Sequence, residues 1–331
     1  MPTNLLIGAG AGLVSAALFA SAATTAALAG ILFFLSPLPL CLAGLGWGRS
    51  AALLAALSGI VVIAASLGPA AAAMFGLTIA APIVVLIHLS LLARPIATPQ
   101  SGAPQGGAPD GGVEWYPPGR LVAWAAVIAG ALAGLFVLLF AFDHEAYRQS
   151  IAASLNNPAL KELDPDGTLF TPETIENLTA VLAKALPGML AVTWLTVVLF
   201  NLWLAGFIVE ASGRALRPWP NLRELELPNV FVAVFAVAIL VSFVPGVIGL
   251  LATGFAGAIL FAYVLQGLAV IHVYSRGVPF RPFLLAAVYL GILLLGWVAL
   301  LVAIVGLGEP LFGLRARNIA GPKPPKDNKT N

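Results

Sequence analysis

The chemistry open to this chain begins with polar groups set inside long uncharged runs. Asn201 sits in Leu199-Phe200-Asn201-Leu202-Trp203, and Gln266 opens Gln266-Gly267-Leu268-Ala269-Val270-Ile271-His272. Tyr263 precedes Gln266 by three residues, and Thr193 and Thr196 are one turn apart, so each pair shares a helix face. Amide, hydroxyl and imidazole groups in hydrocarbon are costly and carry a functional reading beside a structural one. The structural reading is hydrogen bonding between helices, at about 0.6 to 2 kcal/mol each. The functional reading is a polar cavity for a small solute, with Asn201, Gln266, Tyr263, Thr193, Thr196 and His272 as its contacts.

No reactive constellation accompanies them. Intramembrane proteolysis, phosphoryl transfer and metal hydrolysis need paired acids, a His cluster, or a nucleophile with its base, and no apolar run holds such a set. One cysteine, Cys41, excludes an internal disulfide and a Cys-based zinc site, and reads as packing. Gly8-Ala9-Gly10-Ala11-Gly12 lacks the GxGxxG spacing and the strand that a dinucleotide fingerprint requires. Asp164-Pro165-Asp166-Gly167 is a fragment of a calcium loop without its remaining acids. The expectation is a protein that is not an enzyme, with no cofactor, no metal and no nucleic-acid partner.

The elements that must position these groups are membrane helices. The 331 residues are 60% hydrophobic and 9% charged, where soluble domains carry about 25% charged residues. Uncharged stretches of about 18 to 25 residues recur, long enough to cross a bilayer core. The spans fall at 5–22, 26–46, 50–67, 70–92, 120–142, 182–210, 229–251, 254–274 and 283–306, the fifth opening on Arg120 and the longer sixth holding Lys184 and ending on Glu210. Each must be helical, since lipid offers no partner to free backbone groups. The fold class is therefore all-α, a polytopic bundle of eight or nine membrane segments. Met1-Pro2-Thr3-Asn4 has no basic residue, so the first run reads as a retained span rather than a signal peptide. High Ala and Gly with short loops suggests a bacterial inner membrane, crossed several times.

Four parts follow: a membrane half at 1–93, a Pro/Gly-rich linker at 94–119, a second membrane half at 120–308, and a basic tail at 309–331. Inside the second half, 143–180 is an acidic extramembrane segment. Thr171-Pro172-Glu173 predicts a helix start, with Thr as cap and Glu at the positive dipole end, running through Pro187 into the sixth span. Pro37 and Pro39 break the second span, and Pro82 and Pro245 kink theirs. Glu210 precedes Arg214 by four residues, which predicts a helical ion pair. Arg49, Arg94, Arg120, Arg214, Arg217, Arg223, Arg276 and Arg281 share a cytoplasmic side if every run crosses, but nine crossings would strand the basic tail outside. The broken second span is the expected non-crossing segment, leaving eight crossings.

Small residues at Gly8, Gly12, Ala16 and Ala20 recur every four positions, and Gly130 and Gly134 repeat the spacing. Such stripes let a helix approach closely, whether from this chain or from another membrane subunit.

Four segments carry a family resemblance: Trp115-Tyr116-Pro117 with Gly119-Arg120-Leu121; Asn201-Leu202-Trp203-Leu204-Ala205; Ser212-Gly213-Arg214 with Arg217-Pro218-Trp219-Pro220; and Gln266 to His272. The chain resembles the YybS-like bacterial membrane proteins, the domain of unknown function 2232 family. That family is grouped distantly with the substrate-binding subunits of energy-coupling-factor transporters and with rod-shape protein MreD. The resemblance implies a transporter-subunit-like protein in the bilayer, or, alternatively, a scaffold in envelope growth or division.

Overall fold

The computed structural model describes residues 2–24, 28–95, 112–157, 168–313 and 315. Apolar sequence with little charge gives helices almost throughout. They are α1 (Pro2–Ala20), α2 (Ala29–Phe34), α3 (Pro37–Trp47), α4 (Arg49–Leu67), α5 (Pro69–Phe75), α6 (Ala81–Ser90), α7 (Pro118–Phe140), α8 (His144–Leu155), α9 (Pro172–Ala211), α10 (Val230–Ser242), α11 (Val247–Tyr274), α12 (Arg281–Leu295) and α13 (Val298–Phe312). A π-helical turn, Gly76–Ala80, joins α5 to α6 into one rod. Among the described residues, seven helices are long and apolar enough to cross a membrane, counting Ala29–Trp47 and Pro69–Ser90 as single rods.

Two runs read as single crossings are built differently. The run at 283–306 falls within two 15-residue helices, α12 and α13, broken where Gly296 takes a positive φ of 56°. Each is about 22 Å long, short of the roughly 30 Å hydrocarbon core. Residues 229–274 divide at Val244-Pro245-Gly246 rather than near residue 252. Pro245 offers no N–H, and Gly246 turns the chain at φ 81°. Thr253 lies inside α11, its hydroxyl satisfied by donating to the carbonyl of Gly249 at 2.8 Å.

Direct contacts gather the arginine-bearing segments at one end of the bundle. Arg49 donates to the carbonyl of Leu91 and Arg217 to that of Ser90; Arg214 lies over Trp47 and Arg217 over Trp115. Arg315, just past α13, donates to the carbonyl of Arg223. Toward the other end, Val137, Tyr147, Ala183 and Leu250 pack together, and Lys184 lies over Phe243.

The stripe at Gly8, Gly12, Ala16 and Ala20 seats α1 within the chain. A Cβ at Gly8 would lie 2.8 Å from the Ala51 carbonyl, and one at Gly12 would lie 2.3 Å from that of Ala55. Helix α4 therefore takes the face that the sequence left open to another subunit. Gly130 and Gly134 likewise receive Phe255 and Leu251 of α11. Residues of both membrane halves share one apolar core, in which Cys41 is fully buried.

The linker's ends are paired. Ala93–Pro95 and Val113–Trp115 form an antiparallel ladder, and Arg94 binds Glu114 at 2.7 Å. Residues 96–111 lie outside the described residues, as do Lys161, Glu162, Asp164, Asp166 and the tail's Arg317, Lys323, Lys326 and Lys329. In the acidic segment, Asp143 caps α8 by accepting from the Glu145 and Ala146 N–H groups. Thr171 caps α9, accepting from Thr174 N–H at 3.2 Å, and that helix runs 40 residues through Pro187.

Candidate functional site

Proline explains where the buried polar side chains point. A proline inside a helix cannot donate to the carbonyl four residues earlier, and hydrocarbon supplies no substitute. Pro310 leaves Gly306 in this state, and Gln266 Nε2 donates to that carbonyl at 2.8 Å. Pro187 leaves Ala183, whose carbonyl receives the Tyr147 hydroxyl at 3.0 Å. Four residues before Pro82, the Thr78 carbonyl receives Trp194 Nε1 at 2.7 Å. At the break before Pro37 and Pro39, Leu38 N–H turns to the Leu35 carbonyl. That shift frees the Phe34 carbonyl, which Asn201 Nδ2 occupies at 2.8 Å, while Ser15 Oγ serves Ser36 at 2.6 Å.

Gln266 also has a second task. Its Oε1 accepts from Leu227 N–H at 2.6 Å. Residues 225–229 are non-helical, yet Leu225 and Leu227 are buried, so this chain enters the bundle without helical partners for its backbone. The carboxamide thus joins α11 to both α13 and the segment leading into α10. Gly267 and Gly306 permit the approach: a Cβ on Gly267 would meet the Val302 carbonyl at 1.9 Å.

The sequence-derived solute contacts therefore divide. Asn201 and Gln266 are committed to backbone groups of other elements, and Tyr263 is buried against Phe235 with ring centroids 5.6 Å apart. Thr193 lies exposed on α9. None of these four lines the main cavity. Thr196 and His272 do line it.

That cavity, of about 580 Å³, lies between α9, α11, the start of α7 and the 215–225 loop, with Tyr289 of α12 at its side. Its walls are mostly apolar, among them Trp203, Trp219, Phe261 and Leu265. Phe200, Trp203 and Phe207 recur three and four residues apart on α9, Trp203 stacks on Phe207, and Phe207 meets Trp219 edge-on. The charged lining groups are Arg217, Arg223 and Glu210. His272 Nδ1 lies 2.9 Å from the Leu268 carbonyl, and its ring lies 6.0 Å from Tyr289.

The expected Glu210–Arg214 pair does not form. Gly213 takes a φ of 69°, and Gly213 and Arg214 N–H groups cap the carbonyls of Glu210 and Val209. Arg214 is therefore off the helix, and its guanidinium stacks on Trp47. A different ion pair was hidden in the sequence: Arg315 Nε meets Glu309 Oε1 at 2.8 Å, with Glu309 buried and Arg315 partly buried. The aromatic spacing at 200, 203 and 207, and a proline four residues after each hydrogen-bonded carbonyl at Thr78, Ala183 and Gly306, were the readable signals.

Residues 119–308 match the family described as Predicted membrane protein (DUF2232). The chain belongs to that family. This DUF2232 protein has no match among curated proteins or solved structures. Its matched region holds α9, α11 and most of the cavity lining. The four segments that carry the sequence resemblance all contribute cavity residues, including Leu121, Trp203, Arg217 and His272. Among the described residues, no three His, Cys, Asp or Glu side chains gather as a metal site.

Proposed function

We propose that this DUF2232 protein is a non-enzymatic, transporter-subunit-like binding protein of a bacterial inner membrane, and that the cavity beside α9 and α11 is its binding site. The observation that carries the reading is the cavity itself. About 580 Å³ lies within the range of drug-sized ligand sites, which are apolar with a few placed polar groups. The distant grouping with energy-coupling-factor subunits enters the same reading. In this proposal Thr196 and His272 contact the ligand, while Asn201 and Gln266 hold the walls in place.

The reading carries a topology. With the arginine-bearing end cytoplasmic, α1, the α2–α3 rod, α4, the α5–α6 rod, α7, α9 and α11 cross, and the 13-residue α10 crosses together with the non-helical segment at 225–229 ahead of it, where Leu225 and Leu227 are buried, making eight. Helices α12 and α13 then enter and return on the cytoplasmic side, supported by Arg281 bonding Ser275 and Arg315 bonding Arg223. The tail's cations keep the side they favour, and the last run replaces the second as the non-crossing segment.

The test is thermal denaturation of the purified full-length protein in a neutral detergent against metabolites, vitamins and lipids. A stabilising ligand whose effect is lost in Leu265→Trp, which fills the cavity, supports the reading. No stabilisation by any compound overturns it. A scaffold in envelope growth or division is the second reading, favoured by α12, in which no side chain is buried. In that case, in-cell crosslinking from α12 captures a cell-wall or division protein and the cavity stays without a ligand.

A further inference from the structure

We propose that the cavity's ligand is a single-chain lipid with a phosphate head, drawn from the bilayer, its chain against Trp203 and Phe261 and its phosphate at Arg217 and Arg223. This rests on the binding reading above and names its ligand class.

The mouth of the cavity faces hydrocarbon. Phe200 and Trp203 on α9 are 50% and 45% exposed, and Tyr289 on α12 is 47% exposed. All three line the cavity from apolar helices, so the gap between α9 and α12 admits a molecule sideways from lipid. An apolar chain entering there meets an aromatic and aliphatic wall with little polar surface to desolvate. A small polar metabolite would meet the same wall at a loss.

The charge among the lining residues at this rim is net positive. Arg217 is partly buried, donates to the Ser90 carbonyl at 3.0 Å and lies over Trp115 at 6.0 Å. Among the described residues it forms no ion pair, and neither does Arg223. Arg217's pKa is pulled below the ordinary arginine value by desolvation of its partly buried guanidinium. Glu210 is the one acid on the lining and is exposed, so two guanidiniums face one carboxylate. The planar guanidinium fork matches a phosphate's oxygens and forms charge-assisted bonds to them. The 215–225 loop holds this rim in place, because Arg315 binds the Arg223 carbonyl, Glu309 and Glu226.

Native mass spectrometry of the full-length protein in neutral detergent tests the assignment with three probes: a lysophosphatidic acid, the matching lysophosphatidylcholine, and inorganic phosphate. The lysophosphatidic acid should bind saturably, one per protein, about tenfold or more tighter than the choline lipid. Inorganic phosphate alone should not bind measurably. Arg223→Gln, at an exposed position, and Arg217→Lys, which keeps the charge but loses the fork, should each reduce the preference. Arg217→Gln with Arg223→Gln should abolish it, leaving the lysophosphatidic acid bound no more tightly than the choline lipid. Equal affinity for the two lipids, or a preference that survives the double substitution, overturns the inference. A metabolite that stabilises the protein and is lost in Leu265→Trp, with neither lipid binding, overturns it and leaves the binding reading standing. No ligand of any kind removes both.

Discussion

Substituting Gln266 by Met removes two hydrogen bonds while keeping an unbranched side chain of similar length. The structure says what is left unpaired: the Leu227 N–H, bonded at 2.6 Å, and the Gly306 carbonyl, bonded at 2.8 Å. Each buried polar group without a partner costs about 1 to 3 kcal/mol, with membrane hydrogen bonds toward the low end. The expected loss is therefore about 2 to 3 kcal/mol. Pro310→Ala separates the two contributions, because an alanine N–H at that position can donate to the Gly306 carbonyl within α13. In the Pro310→Ala background the loss from Gln266→Met should fall by about half, since only Leu227 stays unpaired. Equilibrium unfolding of the wild type and the three variants in mixed micelles, with a denaturing detergent as titrant, gives the coupling. Equal losses in both backgrounds would refute the claim that Gln266 compensates for Pro310.

Tyr147→Phe should cost about 1 kcal/mol in the same assay and nearly nothing beside Pro187→Ala, whose alanine N–H reaches Ala183. Burial raises the Tyr147 pKa above the ordinary tyrosine value, so its contribution is intact below about pH 10 and is lost as pH rises beyond that. Alkaline titration should therefore narrow the difference between wild type and Tyr147→Phe. Gly267→Ala places a methyl group 1.9 Å from the Val302 carbonyl and should destabilise by about 1 to 3 kcal/mol through forced separation of α11 and α13, measured by thermal denaturation. Cysteines placed singly at position 3 and at position 317 should both react with an impermeant thiol reagent only from the cytoplasmic side; labelling of the two from opposite sides would remove the eight-crossing topology.

The sequence alone determined the solvent. Uncharged runs of membrane length leave a helix as the only backbone that satisfies its own hydrogen bonds, so the all-α class was legible residue by residue. It also marked the Thr171 cap and the small-residue stripes, because capping and close approach depend on residues three or four apart. Hydropathy could not say that 283–306 breaks at Gly296, since two short helices and one long one have the same composition. Nor could it assign Asn201 and Gln266. Their partners, Phe34 and Gly306, lie 167 and 40 residues away in the chain. Each proline announced its own freed carbonyl locally, but which distant donor reached it was decided by how the helices pack. The cavity belongs to the same class: Arg217, Trp203 and His272 are separate marks in sequence, and only the tertiary arrangement of α9, α11 and the 215–225 loop makes them one site.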